Sequence, residues 1–215
     1  NQWRRLTTQR LIYESQDKSL TPRLRKLISH KSEFARLHAL WCLHGLSVIE
    51  SGDLLLGLSD PNPRIRENVI RIIEESGVIG DQLIQQKLVE LASDTDPTVR
   101  FQLALTLGKV ENSSSAQEAL QSIYFKGHKD EWTRKAVLCS LKGDEVEFAR
   151  KTANRIPPAY LEELFELSAS RIENEIDLKN LINIILQTSW ENDEKIKVNR
   201  QTTQLSLEEL INCVE

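Results

Sequence analysis

The sequence contains no methionine, 3 cysteines, 6 prolines and 8 glycines in 215 residues, and only 6% of it is aromatic. Each scarcity removes a class of protein. Cys42, Cys139 and Cys213 are far apart and odd in number, so they form neither a disulfide framework nor a paired metal-ligand spacing. Cys42 and Cys139 lie in apolar stretches, "LWCLHGL" and "AVLCSLKG", and are expected to be buried free thiols. No run of eighteen apolar residues occurs, and no apolar leader opens the chain, so direct membrane insertion is not expected. The formal net charge of -4, with 28% charged residues, gives no basis for broad affinity to nucleic acid. The Gly-rich phosphate loop, G-x-S-x-G, H-E-x-x-H and C-x-x-C-H are all missing. The absent methionine, with helical patterning already at Asn1, leads to the expectation that the chain is a piece of a longer protein.

What is there is a repeat. "DPNPRIRENV" (Asp60–Val69) and "DTDPTVRFQL" (Asp94–Leu103) share one grammar: acid, Asn or Asp, Pro, a β-branched residue, Arg, then an apolar run. The same frame surrounds Arg36 and Arg134, so the arginines recur at intervals of 30, 34 and 34 residues. Four positions before them stand Ser32, Asn62, Asp96 and Asp130, whose side chains can accept from the orphan amides of a helical first turn. Next come Glu33, Pro63, Pro97 and Glu131. Proline suits the first helical position because its missing N–H has no partner there anyway, and glutamate suits the positive end of the helix dipole. Ala39, Val69, Leu103 and Val137 follow three residues after each arginine, and Leu43, Ile73, Leu107 and Leu141 seven after, the spacing of one buried helical face.

Between these second helices there is just enough chain for a shorter first helix, in "TPRLRKLIS", "SGDLLLGLS", "IGDQLIQQKLVELAS" and "SSSAQEALQSIYFKG". An earlier copy starts at Asn1, with Arg5 in the repeated position and Thr8 and Ile12 on its inward face. The expected fold is all-α: a right-handed α-α superhelix of antiparallel helix pairs, each burying its face against its neighbours. It is expected as a single solenoid domain over 1–215, with recognisable repeats in 1–143 and a degenerate helical continuation in 144–215. In that continuation "DEVEFARKTANR", "AYLEELFELSASRI" and "DLKNLINIILQTSW" read as helices, residues 191–204 as a loop, and "SLEELINC" as a last helix with a Ser206–Glu209 capping box.

The repeat resembles the HEAT repeat, whose D-x-x-P-x-[VI]-R core is carried by Asp60, Pro63 and Arg66 and again by Asp94, Pro97 and Arg100. The turns before Arg36 and Arg134 lack the proline. More closely, "WRRLTTQRLIYES", "ARLHALWCLHGL", "LLLGLSDPNPRIRENVIRIIE" and "WTRKAVLCSLKG", in that order, resemble the HEAT region of large bacterial proteins described as membrane-bound dehydrogenases or haem-binding proteins. That resemblance implies a periplasmic or envelope location and a scaffold between redox domains, with the cytochrome c domain elsewhere in the parent and no cofactor held by this segment. It transfers no catalytic residue.

The residues that stand out are therefore structural repeat positions: Arg36, Arg66, Arg100, Arg134, Asp60, Asp94, Asn62, Asp96, Pro63 and Pro97. Each arginine is expected to reach a turn carbonyl or the carboxylate of the preceding turn, a task that five donors in a rigid fork suit. The competing reading is a ladder that binds an anion. His38 and His44 are six apart and do not share a helical face, so a metal cluster with Cys42 is disfavoured. The function expected is a non-catalytic scaffold that docks neighbouring domains of the same polypeptide or a protein partner. The alternatives are a cofactor-handling, bilin lyase-like solenoid and a helical-repeat DNA glycosylase-like enzyme.

Overall fold

The structure, a computed structural model, describes residues 1–110, 113–172 and 175–187. Its helices start where the capping residues stand. Asn62 Oδ1 accepts from the Arg64 amide at 2.9 Å, Asp96 Oδ1 from the Thr98 amide at 2.8 Å, and Asp130 Oδ2 from the Thr133 amide at 2.8 Å. Pro63 and Pro97 open their helices at the first position, where no amide hydrogen is missed. Ser32 differs, because its side chain makes no capping bond. There the turn is closed from the other direction, by the Ser32 amide donating to His30 Nδ1 at 3.0 Å.

The helices are α1 (Gln2–Ser15), α2 (Thr21–Ile28), α3 (Glu33–Gly45), α4 (Ser51–Leu58), α5 (Pro63–Ser76), α6 (Gln82–Glu90), α7 (Pro97–Leu107), α8 (Ser114–Gly127), α9 (Glu131–Cys139), α10 (Glu145–Thr152), α11 (Glu162–Ser170) and α12 (Glu175–Gln187). Single 3₁₀ turns join some of them, one over Pro158–Tyr160, where Pro157 and Pro158 stop the chain from continuing as α-helix. There is no strand among the described residues.

The chain divides into two compact units, Asn1–Ala116 and Gln117–Glu215. In the first, α2 packs against α3 and α4 against α5, as paired, largely antiparallel helices. The second helices α1, α3, α5 and α7 pack side by side in sequence order. The inward positions are sealed: Ala39, Val69, Leu103, Leu43, Ile73 and Leu107 are all buried. Each Val, Leu or Ile so buried contributes about 1.5–3 kcal/mol of transfer free energy. The earliest copy departs from expectation: Thr8 is exposed, Ile12 is half-buried, and α1 has no buried residue at all.

In the second unit Val137 and Leu141 are buried on the same rule. Here α10 packs against α11 and α12 around Phe148, Phe165, Leu181 and Ile185. Cys42 is buried as expected, but Cys139 is exposed, because two residues after Val137 it turns away from the inward face. The expected loop 191–204, the Ser206–Glu209 cap and Cys213 lie outside the described residues.

Candidate functional site

The repeated arginines are held by their own turn and by the turn that follows. Arg36 Nη1 donates to the His30 and Lys31 carbonyls at 3.0 and 3.3 Å, while Nε and Nη2 form a fork onto both Asp60 oxygens at 2.6 and 2.9 Å. Arg66 repeats the arrangement one copy later. Its Nη1 reaches the Asp60 and Pro61 carbonyls at 2.7 and 3.2 Å, and Nε and Nη2 reach Asp94 at 2.7 and 2.8 Å. Each aspartate also closes its own turn, Asp60 Oδ1 accepting from the Asn62 amide at 2.8 Å and Asp94 Oδ1 from the Asp96 amide at 2.9 Å. The carboxylate is thus that of the succeeding turn, not the preceding one. A sequence shows the spacing of donor and acceptor but not the direction in which a long side chain swings.

These forks leave little for a ligand. The Arg36 and Arg66 side chains are each 13% exposed, and each makes four bonds with its five donors. The Asp60 bonds hold the Arg36 guanidinium above its ordinary pKa despite burial. Arg100 and Arg134 are built differently. Arg100 Nη1 takes the Asp94 and Thr95 carbonyls at 2.6 and 3.1 Å, but its buried Nε has no hydrogen-bond partner among the described residues. The register explains why: the residue that follows Asp60 and Asp94 in the repeat is His128, which offers no carboxylate. Arg134 Nη1 takes the His128 carbonyl at 2.9 Å and Nε meets Glu163 at 3.1 Å, a carboxylate carried on α11.

A second ladder runs along the same helices. His38, Asn68 and Gln102 each stand two residues after a repeated arginine and bond back to the previous second helix. The partners are Gln9 Oε1 at 2.5 Å, Trp41 Nε1 at 3.0 Å and Arg71 Nε at 2.9 Å. Arg71 also pairs with Glu67 at 2.8 Å, and Glu74 accepts from Thr106 at 2.8 Å and pairs with Lys109 at 2.5 Å. Of these only His38 stood out in the sequence, as a disfavoured metal ligand, although a hydrogen-bonding residue at one offset from the arginine was a signal that could have found the row. Beside this row, α1 and α3 border an open groove of about 570 Å³, lined by Leu6, Arg10, Tyr13, Trp41, His44 and Glu75 among others.

Burial pushes the Cys42 thiol up to about 11, which keeps it protonated at neutral pH and a poor nucleophile. Burial, and then the Arg5 charge, hold His38 below the ordinary imidazole range. His44 turns away from His38, to Ser76 at 3.0 Å and Glu75 at 3.2 Å. Among the described residues no three His, Cys, Asp or Glu side chains come together as a metal site, and no helix is long and apolar enough to cross a membrane.

No curated protein matches the chain. A match to the family model for HEAT repeats spans residues 51–142, from the start of α4 to the turn after α9. The match carries nothing of haem or of dehydrogenase activity, and the description of a membrane-bound, haem-binding protein is corrected accordingly: among the described residues there is no membrane-spanning helix, and what matches is the repeat alone. The Asn62, Asp96 and Asp130 caps, the first-position prolines and the Arg66–Asp94 fork all lie within residues 51–142, the stretch that is similar to HEAT repeats.

Proposed function

We propose that this chain is a non-catalytic docking scaffold that holds a protein partner, a neighbouring domain or a separate protein, against the faces of its second helices. The observation that carries this reading is the groove between α1 and α3. Leu6 (51% exposed), Tyr13 (60% exposed) and Trp41 supply an apolar and aromatic centre, and Arg10 and Glu75 stand among the residues that line it. Aromatic anchors surrounded by charge are the usual make-up of a protein-binding hot spot. The ladders favour the same role, because Arg36 and Arg66 are committed to neighbouring turns and stiffen the face without being part of the ligand. A net charge of -4 speaks for a protein rather than a nucleic acid as partner.

Site-specific photo-crosslinking in the source cells tests this. A photoreactive residue in place of Tyr13 is expected to give one discrete protein adduct, which is absent when the residue replaces exposed Lys129 and is lost on adding Leu6→Asp. No adduct at position 13, or the same adducts at both positions, would sink the proposal.

A further inference from the structure

Arg5 occupies the repeated arginine position of the first copy, and the register places His30 where Asp60 and Asp94 stand in later copies. His30 takes over half of the aspartate's work. Its Nδ1 accepts the Ser32 amide at 3.0 Å, as Asp60 and Asp94 accept the amides two residues on. An imidazole whose Nδ1 accepts carries its proton on Nε2, so its other ring nitrogen is a donor and cannot supply the second acceptor that aspartate has. Arg5 therefore lacks its fork. Its guanidinium stacks on the Phe34 ring at 4.2 Å, and its buried Nε has no hydrogen-bond partner among the described residues.

At this position lies a cavity of about 380 Å³. Arg4, Arg5 and His30 bring donors to it, Leu24, Leu27 and Ile12 line it with apolar surface, and no aspartate or glutamate is among its lining residues. The Arg5 charge also reaches His38 in the same cavity, helping to keep that imidazole neutral.

We infer that this cavity binds a small amphiphilic carboxylate, its carboxyl group completing the missing rung with Arg5 and His30 and its hydrocarbon tail against Leu24 and Leu27. The chain itself supplies the template: wherever a carboxylate stands at this position, the guanidinium edge takes it as a bidentate pair. This site shares Gln9 and Cys42 with the docking groove but draws on neither, and it does not rest on the proposed docking role.

Isothermal titration calorimetry of the 215-residue protein with sodium octanoate, octan-1-ol, acetate and an N-acetyl-Leu-Leu-Asp amide peptide tests the inference. Saturable octanoate binding is expected, with the other three at least tenfold weaker. Arg5→Gln should weaken octanoate at least tenfold. His30→Asp provides the second test: it restores the acid of the other copies, so it should pair with Arg5, raise the melting temperature and weaken octanoate at least tenfold. The inference is overturned if octanol or acetate binds as well as octanoate, if the peptide binds as tightly (a protein-borne carboxylate), if no octanoate binding occurs, or if His30→Asp leaves binding unchanged.

Discussion

Asp96 shows how much one side chain can do at a helix start. Its Oδ1 accepts both the Thr98 amide at 2.8 Å and the Thr98 hydroxyl at 2.6 Å. Asp96→Ala is expected to cost about 1 kcal/mol, the usual loss for a cap, measured by chemical denaturation. The Thr98 hydroxyl bond, first among several, holds the Asp96 carboxyl below the ordinary aspartate range. A depressed folded-state pKa means that the unfolded chain binds the proton more readily. The contribution is therefore complete above the unfolded value of about 3.9 and is lost as pH falls from there through the folded value. Asp96→Asn should flatten the acid limb of a stability–pH profile while leaving neutral pH less affected. The arginines separate by partner. Arg66→Ala breaks a buried fork and two carbonyl bonds and should cost about 2–4 kcal/mol. Arg100→Ala loses only carbonyl bonds and should cost less, about 1–2 kcal/mol. Arg64→Ala, which removes an exposed guanidinium from a Glu67 that keeps its Arg71 partner, should cost least, within about 1 kcal/mol. Equal melting temperatures for all three variants would refute the structural role of the forks.

Among the helices, α4 passes close enough to α5 that a side chain is excluded. A Cβ at Gly57 would stand 2.6 Å from Val69 Cγ2, and Val69 is fully buried. Gly57→Ala gains up to about 1 kcal/mol of helix propensity but forces overpacking worth about 1–3 kcal/mol, so net destabilisation is expected in a thermal melt. Gly127 in α8 meets Thr133 in the same way and should respond alike. Neither approach was visible in the sequence, because a glycine within a helical pattern does not say what lies opposite. The helix starts and their buried faces were legible, since caps and periodicity are local: Asn62, Asp96 and Asp130 cap where read, and Val69, Leu103 and Val137 are buried. The candidate sites were not legible. The groove depends on where α1 lies against α3, and the carboxylate cavity on His30 standing in an aspartate's place, which matters only once the forks are seen.

On the scale of the whole chain, the first unit is a series of nearest-neighbour couplings, so a local break is expected to spread. Hydrogen exchange of Arg66→Ala should show α5 and α7 losing protection together while α1 is little changed; loss confined to the turn at Asp60 would contradict this. The fork has one further consequence. The Arg36–Asp60 and Arg66–Asp94 forks have the same geometry, so Asp94 can stand in for Asp60 as the acceptor of Arg36. Excision of residues 60–93 would remove α5 and α6 and bring Asp94 directly behind Ser59, in the seat Asp60 held for Arg36, with Leu103 opposite Gly57 in place of Val69. Such a shortened chain is expected to fold. The gene can thus lengthen or shorten by whole copies without redesigning a joint, and the same fork closing over 24 residues in one copy and 28 in the next lets the chain between joints vary as well.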